Sequence, residues 1–467
     1  FDKAVTCKDS TITFHLAGPE NAFNEVLTLP AFAPVKESTD AKDQGSLEVF
    51  SAGPYELRGQ WTPGVGGVFV RNPAWKAVSD PIRKALPNQI TYRENQQAAA
   101  IVQQVLGGKS GGDRAVSLAS APPALQQQIT SSRDLQGRTI NPGTGLMDYL
   151  APNLRSTVFS HEEARRALAL ATDRAAYVAA LGGTSAAAPS TSLIPAAIAV
   201  PASAADPSTS TSNSPGATST PGATSTTSPS TPGAKATAGS RPTGSTSPSA
   251  SAATGTSPTG ASPSGPSSPS GPSSTGASPS GAASDQAKAL LAAAGLTTPV
   301  KITVAYRQSD SMDTAMAALV PGWQKAGFAP TLKPMGDTYF TDIAQAKVSG
   351  IDVFWANWAP EWASAATILQ PIFDSRLNLT ALGTGRDYGA FADADLNARM
   401  DALSTVADRT AREAGWAALD ADLRARGAYV GLAERRAVYV AGTNVRSFSA
   451  DEVLGGFVEF ATIGVAP

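Results

Sequence analysis

From Pro201 to Ser284 the chain contains no aromatic residue and no Leu, Ile, Val or Met; it is Ser, Thr, Pro, Gly and Ala, broken only by Asp206, Asn213, Lys235 and Arg241. A stretch with so little apolar surface cannot offset the conformational entropy of ordering itself. It also repeats locally: Pro215-Gly216-Ala217-Thr218-Ser219-Thr220 is followed at once by the same six residues from Pro221, and Ser-Pro-Ser-Gly units begin at Ser262, Ser268 and Ser278. The composition predicts a disordered insertion over residues 199–284, with a root-mean-square span of roughly 50 Å for a flexible chain. Its Ser, Thr and Pro suit surface O-glycosylation. A bare loop insertion fits as well, because closing a long loop costs little more than closing a short one. Folding must therefore be done by the segments on either side.

Those segments are too long for one core. A chain of 467 residues predicts two or more lobes. Lys and Arg total 36 against 38 Asp and Glu, so the formal charge of -2 gives no basic footprint and excludes nucleic acid as a partner. The single cysteine, Cys7, excludes a disulfide framework and any multi-cysteine metal cluster. It reads as a buried or half-buried strand residue; the Ala4-Val5-Thr6-Cys7 stretch is only faintly like a lipoprotein cleavage site, with too few residues before it. No run of 18 apolar residues is long enough to span a membrane.

Upstream of the insertion, Ile12, Phe14 and Leu16 alternate with Thr11, Thr13 and His15, and Lys8-Asp9-Ser10 is a turn signal, so residues 5–16 predict a half-buried hairpin. Ser160 and Glu163 have capping-box spacing, followed by apolar positions through Val178 and a stop at Gly182-Gly183, which predicts one helix. Downstream, helices alternate with short strands: helix 285–294, strand 301–306, helix 312–326 with a kink or a break at Pro321, strand 351–355, helices 394–406 and 409–426, then strands 429–432 and 437–440. The pattern is α/β.

Several motifs carry less than they promise. Gly107-Gly108-Lys109-Ser110 lacks the earlier glycine of a phosphate loop, where Gln103 stands, and reads as a surface turn. His161-Glu162-Glu163 lacks the second histidine of a zinc-protease helix, and with only His15 and His161 in the chain a histidine metal site is excluded. There is no G-x-S-x-G elbow. Acidic residues are too numerous for a pair of them to argue glycosidase chemistry. The segment Phe354 to Trp362 is different, because it holds three of the seven tryptophans within eight residues. With Ile351, Val353 and Trp355 on one strand face, Trp358, Glu361 and Trp362 fall in the following loop, where exposed indoles and a carboxylate make a binding surface. Core packing is the competing reading of such a run.

Six elements, in order, resemble extracytoplasmic solute-binding proteins of family 5, the oligopeptide and dipeptide receptors of ABC importers. Gly53-Pro54-Tyr55 with Trp61 and Arg71-Asn72-Pro73-Ala74-Trp75 are similar to its GPY...W and RNPxYW elements, and Gly111-Gly112-Asp113 to its short SGEID turn. Ala164-Arg165-Arg166-Ala167-Leu168 through Asp173-Arg174 is similar to VRxAL...DR, Ala287 to Leu291 with Ala294-Gly295 to AKxLLxEAG, and Asp352 to Glu361 to FDxxxxGWxAD. The resemblance implies a two-lobed periplasmic-binding-protein-like (type II) α/β fold: residues 1–198 as a first lobe, 285–440 as a second, and 441–467 returning to the first. It implies that the chain begins inside a longer family pattern, whose members carry a further small lobe, a signal peptide and a lipidated cysteine upstream.

The resemblance also implies a site. The acidic residue of the GWxAD loop pairs with the ligand's terminal ammonium in several members; Glu361 stands there and Trp358 at its tryptophan, with Asn357, Trp362 and Asn153 expected nearby. Asn357 replaces the usual glycine, Pro360 stiffens the loop, and Glu361 is one methylene longer than Asp. The expected protein is thus a monomeric, extracytoplasmic, lipid-anchored receptor that captures a short peptide or similar solute and docks on ABC permease subunits, with no cofactor, no metal and no enzymatic activity. The rival expectation is an envelope protein of the same fold that works in cell-wall or lipoglycan assembly through protein partners.

Overall fold

The structure, a computed structural model, describes residues 4–33, 51–199, 279–345, 349–453 and 455–466. The predicted insertion therefore lies almost wholly outside the described residues. Its downstream edge comes earlier than residue 284: Ser280 accepts a hydrogen bond from the Ala283 amide and caps a helix that starts at Gly281.

The N-terminal hairpin forms as predicted, β1 (Val5–Lys8) against β2 (Thr11–Phe14), with Asp9 at φ 54° in the turn. Its burial does not follow the alternation: Ile12 is 60% exposed and Cys7 is exposed. Only Phe14 finds partners, the rings of Phe23 on α1 (Phe23–Val26) and Phe32. A three-stranded antiparallel sheet follows, in the order β3 (Tyr55–Leu57), β4 (Gly66–Arg71), β5 (Gln89–Arg93). Beyond it are α2 (Ala98–Gly107), ended by Gly108 in the left-handed conformation, α3 (Pro123–Ser131) and β6 (Thr139–Ile140). The Gly107 to Ser110 motif is thus a helix terminus and turn.

The main sheet begins at β7 (Gly143–Pro152), then α4 (Glu162–Ala171), α5 (Arg174–Ala180) and β8 (Ala187–Pro189). After the insertion come α6 (Gly281–Ala293), β9 (Val300–Arg307), α7 (Asp310–Lys325), β10 (Phe328–Met335), α8 (Tyr339–Ile343) and β11 (Val353–Trp358). The chain continues through α9 (Ala366–Phe373), α10 (Ser375–Asn378), α11 (Ala394–Ser404), α12 (Arg409–Ala425) and β12 (Val430–Arg436). The six strands lie in the order β10-β9-β11-β7-β12-β8. β9 is parallel to β10 and β11, while β7 runs antiparallel to both β11 and β12.

This order redraws the expected division at residue 198, because β7 and β8 come from before the insertion and are built into the same sheet as the strands after it. The apolar cores agree. One cluster runs from Met147 to Ala433, and two smaller ones take Val102 to Ile129 with Val438 and Val440, and Ala437 to Ile463. The chain passes between the large core and the small ones at two adjacent points, residues 140–143 and 436–437. There Asn141 donates to the Ala437 carbonyl at 2.8 Å, and Arg436 to the Asn141 carbonyl at 2.6 Å. The C-terminal segment then pairs β13 (Tyr439–Val440) with β6, β14 (Val445–Arg446) with β17 (Gly464–Val465), and β15 (Ala450–Asp451) with β16 (Phe457–Val458).

Two local expectations change. The helix predicted from Ser160 starts at Glu162, and the Ser160 hydroxyl bonds the Thr157 carbonyl instead of capping. It also breaks in two: Thr172 bonds back to the Leu168 carbonyl at 2.7 Å, and Asp173 caps α5 through the Ala176 amide at 2.9 Å. α7 continues through Pro321 without interruption, so of the two outcomes expected at this proline, a kink or a break, the break does not occur.

The elements that carried the family resemblance are mostly braces. Asn72 donates to the carbonyls of Ser51 and Gly53 and accepts from the Ala74 amide. Arg165 donates to the carbonyls of Phe159, Ser160 and Arg426, and Arg174 to that of Gly431 at 2.7 Å. A guanidinium, with five donors in a fixed fork, suits carbonyls left over at helix ends and strand edges. Burial lowers the Arg174 pKa to about 10.

Candidate functional site

β11 sets out the Trp-rich segment. It runs three residues past the predicted strand end at Trp355, so that Trp358, expected in the loop, is the last strand residue and lies opposite Met147 of β7, while Asn357 lies opposite Asp148. Side chains alternate across a strand. Asn357 therefore shares a face with Trp355 and Asp148, and Trp358 shares the other with Phe354.

Trp358 is held on three sides. Its Nε1 donates to the Thr367 carbonyl at 2.8 Å, its ring packs on the large core, and the Arg386 guanidinium lies over the indole, 4.8 Å from the ring centre. A cation in that position is attracted by the negative face of the ring. The turn then closes on Thr367 a second time, through the Glu361 amide to Oγ1 at 3.2 Å. The Glu361 carboxylate itself is exposed and forms no hydrogen bond or ion pair among the described residues. Trp362 is half-buried, with its Nε1 out of solvent and unpartnered.

The turn lies at the seam between the large core and the C-terminal segment. Gly145, at φ 65°, faces the Pro360 ring: a Cβ there would be 3.2 Å from Pro360 Cδ and 3.8 Å from the Val453 carbonyl. Gly456 approaches the Gly143 carbonyl as closely from the other side, 2.7 Å from where its Cβ would be. A side chain is thus disfavoured at 145 by the left-handed backbone and the Pro360 ring, and at 456 by the Gly143 carbonyl.

Asn153 does not join this group. It follows the far end of β7, about six residues' rise or roughly 20 Å from Met147. Its side chain is spent on local backbone, donating to the Ile351 carbonyl at 2.9 Å and accepting from the Arg155 amide at 3.0 Å. Asp352 is also structural, accepting from Ser156 Oγ and from the Thr303 amide. The structure brings together Asn357, Trp358, Glu361 and Trp362 as one strand end and turn.

Sequence reasoning missed the residues that hold the turn. Glu413 of α12, buried, accepts from Ser364 Oγ at 2.7 Å and from the Ala365 amide at 3.1 Å, which caps α9 from a neighbouring helix. A carboxylate is favourable there, at the positive end of the helix dipole. Arg386 and Thr367 had no signal in the sequence, since neither belongs to a motif.

Behind Asn357 is a buried polar cluster. Asp148 Oδ2 accepts from Arg435 Nε at 2.5 Å and from Tyr177 at 2.8 Å, and Tyr177 in turn accepts from Trp355 Nε1 at 3.1 Å. Asp148 Oδ1 is buried without a partner. Burial pushes the Asp148 carboxyl up in pKa, against the pull of Arg435. Breaking a buried pair by removing one partner strands the other charge, typically at about 3–5 kcal/mol. Arg435 is 24% exposed and Tyr177 would still donate, so Arg435→Ala is expected to cost less, about 2–3 kcal/mol of unfolding free energy by urea titration. An unchanged midpoint would mean that Asp148 does not depend on this ion pair.

A separate groove of about 780 Å³ follows β5, lined by Gln89 to Gln96, Gln104, Val105, Phe460 and Val465. It does not include the Trp358 turn. Among the described residues no cluster of His, Cys, Asp and Glu is arranged for a metal ion, and no helix is long and apolar enough to cross a membrane.

Comparison with known proteins accounts for this arrangement. Residues 1–215 match the model of bacterial extracellular solute-binding proteins, family 5 middle. No curated protein matches the chain in sequence. Among solved structures, a clavulanic acid biosynthesis oligopeptide binding protein is similar at a TM-score of 0.72 with 20% identity, covering 100% of this chain and 72% of that one. The periplasmic murein tripeptide binding protein MppA, in an unliganded open form, is similar at 0.69 with 16% identity, covering 99% and 73%. The ABC transporter-associated protein DppA from Helicobacter pylori, in complex with the peptide STSA, is similar at 0.61 with 13% identity, covering 100% and 74%. At these identities the likeness is one of fold. Residues 1–215 are thus similar to the bacterial extracellular solute-binding proteins, family 5 middle, and the described residues build the fold of these solved binding proteins.

Proposed function

We propose that this chain is the substrate-binding component of an ABC importer, capturing a short peptide or similar amino-bearing solute outside the cytoplasm and presenting it to membrane permease subunits. The carrying observation is Glu361: an exposed carboxylate with no partner, on a turn pinned at both ends to Thr367 and placed against the C-terminal segment at Gly145 and Val453. A carboxylate kept free on a braced turn is set to receive a cation, and an ammonium makes the charge-assisted hydrogen bonds it lacks. Trp358 offers an apolar wall beside it, with Asn357 and Trp362 flanking.

In this reading the two lobes meet at residues 140–143 and 436–437, so that the first is built from 51–142 with 437–466 and the second from the described residues of 143–436. Ligand contacts from both sides favour the closed arrangement, which the permease recognises. The capture step needs no covalent chemistry. The match of residues 1–215 to the family 5 model and neighbours whose names record oligopeptide or peptide binding support the reading.

The test is native mass spectrometry of gently purified protein from a rich medium. A retained peptide or small amine supports the receptor reading. A clean unliganded mass together with a stable protein partner would favour envelope assembly instead.

A further inference from the structure

The N-terminal segment, residues 4–33, contributes to none of the three apolar cores, yet it contacts α11 and α12, which come late in the chain. The Asn21 amide donates to the Ser404 carbonyl at the end of α11 at 3.4 Å, and Ala22 is buried there. Three residues on, Glu25 Oε1 lies 3.5 Å from Arg409 Nη1 and 3.8 Å from Arg412 Nη2, both at the start of α12. Arg412 is only 5% exposed, and Glu25 Oε2 is itself buried.

Both arginines also face the Trp358 turn. Arg409 Nη2 donates to the Ala363 carbonyl at 2.9 Å. Arg412 Nε lies 3.7 Å from Glu413 Oε1, the carboxylate that holds Ser364 and Ala365. From Ser364 the path continues through Thr367, whose hydroxyl donates to the Ser364 carbonyl and whose two oxygens hold Trp358 and Glu361. A parallel link runs from Ser404, whose hydroxyl accepts from Gln370 of α9 at 3.1 Å. One carboxylate of the N-terminal segment thus faces two cations at the head of α12, Arg409, which holds the turn at Ala363, and Arg412, which it shares with Glu413.

We infer that Glu25 is a positioning residue for the ligand turn: by holding Arg409 and Arg412 at the head of α12 it fixes residues 358–367, and with them the Glu361 carboxylate. Without Glu25, the two guanidinium groups repel one another and Arg409 is drawn to water, away from the Ala363 carbonyl. Fixing a charged group before the ligand arrives removes an ordering cost from binding. The inference rests on the proposed role of the turn, but its test does not use ligand.

The experiment is hydrogen–deuterium exchange of the ligand-free chain as Glu25→Gln, Arg409→Gln and the double variant. The expected result is about tenfold faster exchange across 358–367 in each single variant, no further increase in the double variant, and unchanged exchange in β9. Unchanged exchange across 358–367 would overturn the inference, as would a rise shared equally by β9, which would mark a general loss of stability. Absence of peptide binding by the wild-type chain, with this exchange pattern present in the variants, would count against the receptor reading alone.

Discussion

Glu361→Gln is expected to weaken binding of an ammonium-bearing ligand about a hundredfold while leaving a neutral ligand of the same shape within a few fold. The amide keeps the size and one acceptor of the carboxylate but none of its charge. Truncating one member of a desolvated, hydrogen-bonded charge pair costs about 2–5 kcal/mol, and about 2.7 kcal/mol corresponds to a hundredfold in Kd. Because the Glu361 side chain is exposed and unpartnered in the ligand-free chain, the substitution should leave stability almost unchanged. Isothermal titration with wild type and variant checks both parts. Equal affinities would move the ammonium site to another group.

The second large effect concerns Asp387, in the same loop as the Arg386 that covers Trp358. Asp387 is buried, its Oδ2 has no partner, and burial raises its pKa to about 7, outweighing the backbone amides of Phe391 and Ala390 and the charge of Arg155. The unfolded chain ionises this group near the ordinary value of 3.8, so the folded chain holds the proton more tightly across the interval between the two. Stability from this group is full below about pH 4 and falls as pH rises to about 7, at about 1.4 kcal/mol per pH unit, for a total of about 4 kcal/mol. Asp387→Asn should therefore be more stable than wild type at pH 8, by about 2–4 kcal/mol, with the difference shrinking towards pH 4. Urea unfolding at pH 4, 6 and 8 measures it. A variant less stable than wild type at pH 8 would show that the ionised carboxylate is satisfied.

Much of this was legible in the sequence for physical reasons. The insertion announced itself by lacking apolar side chains, and β9, α7, α11 and α12 by strong periodicity and clear glycine or Asp boundaries. What failed did so where long-range contacts decide. The Ser160 capping box gave way because Thr172 and Asp173 rebuilt the helix into two, and Asn153 was spent on the backbone of β11's approach, which no local pattern could reveal. The expected boundary at residue 198 followed chain order, whereas β7 pairs with strands some two hundred and more residues later. Glu361 and Trp358 are candidates because a run of indoles is rare and the segment is similar to the GWxAD loop. Their supports, Glu413, Arg409 and Arg386, were missed because a charged residue on a helix surface and one beneath a binding turn look alike until the tertiary fold is known.

The central claim is that Glu361 receives the amino group of a short peptide. Its most direct test is calorimetric titration of the wild-type chain with a panel of di- to pentapeptides, each supplied free and N-acetylated. Saturable binding of free peptides that falls about a hundredfold or more on acetylation is the predicted result. Equal binding of the free and acetylated forms, or no binding by any member of the panel, would contradict it.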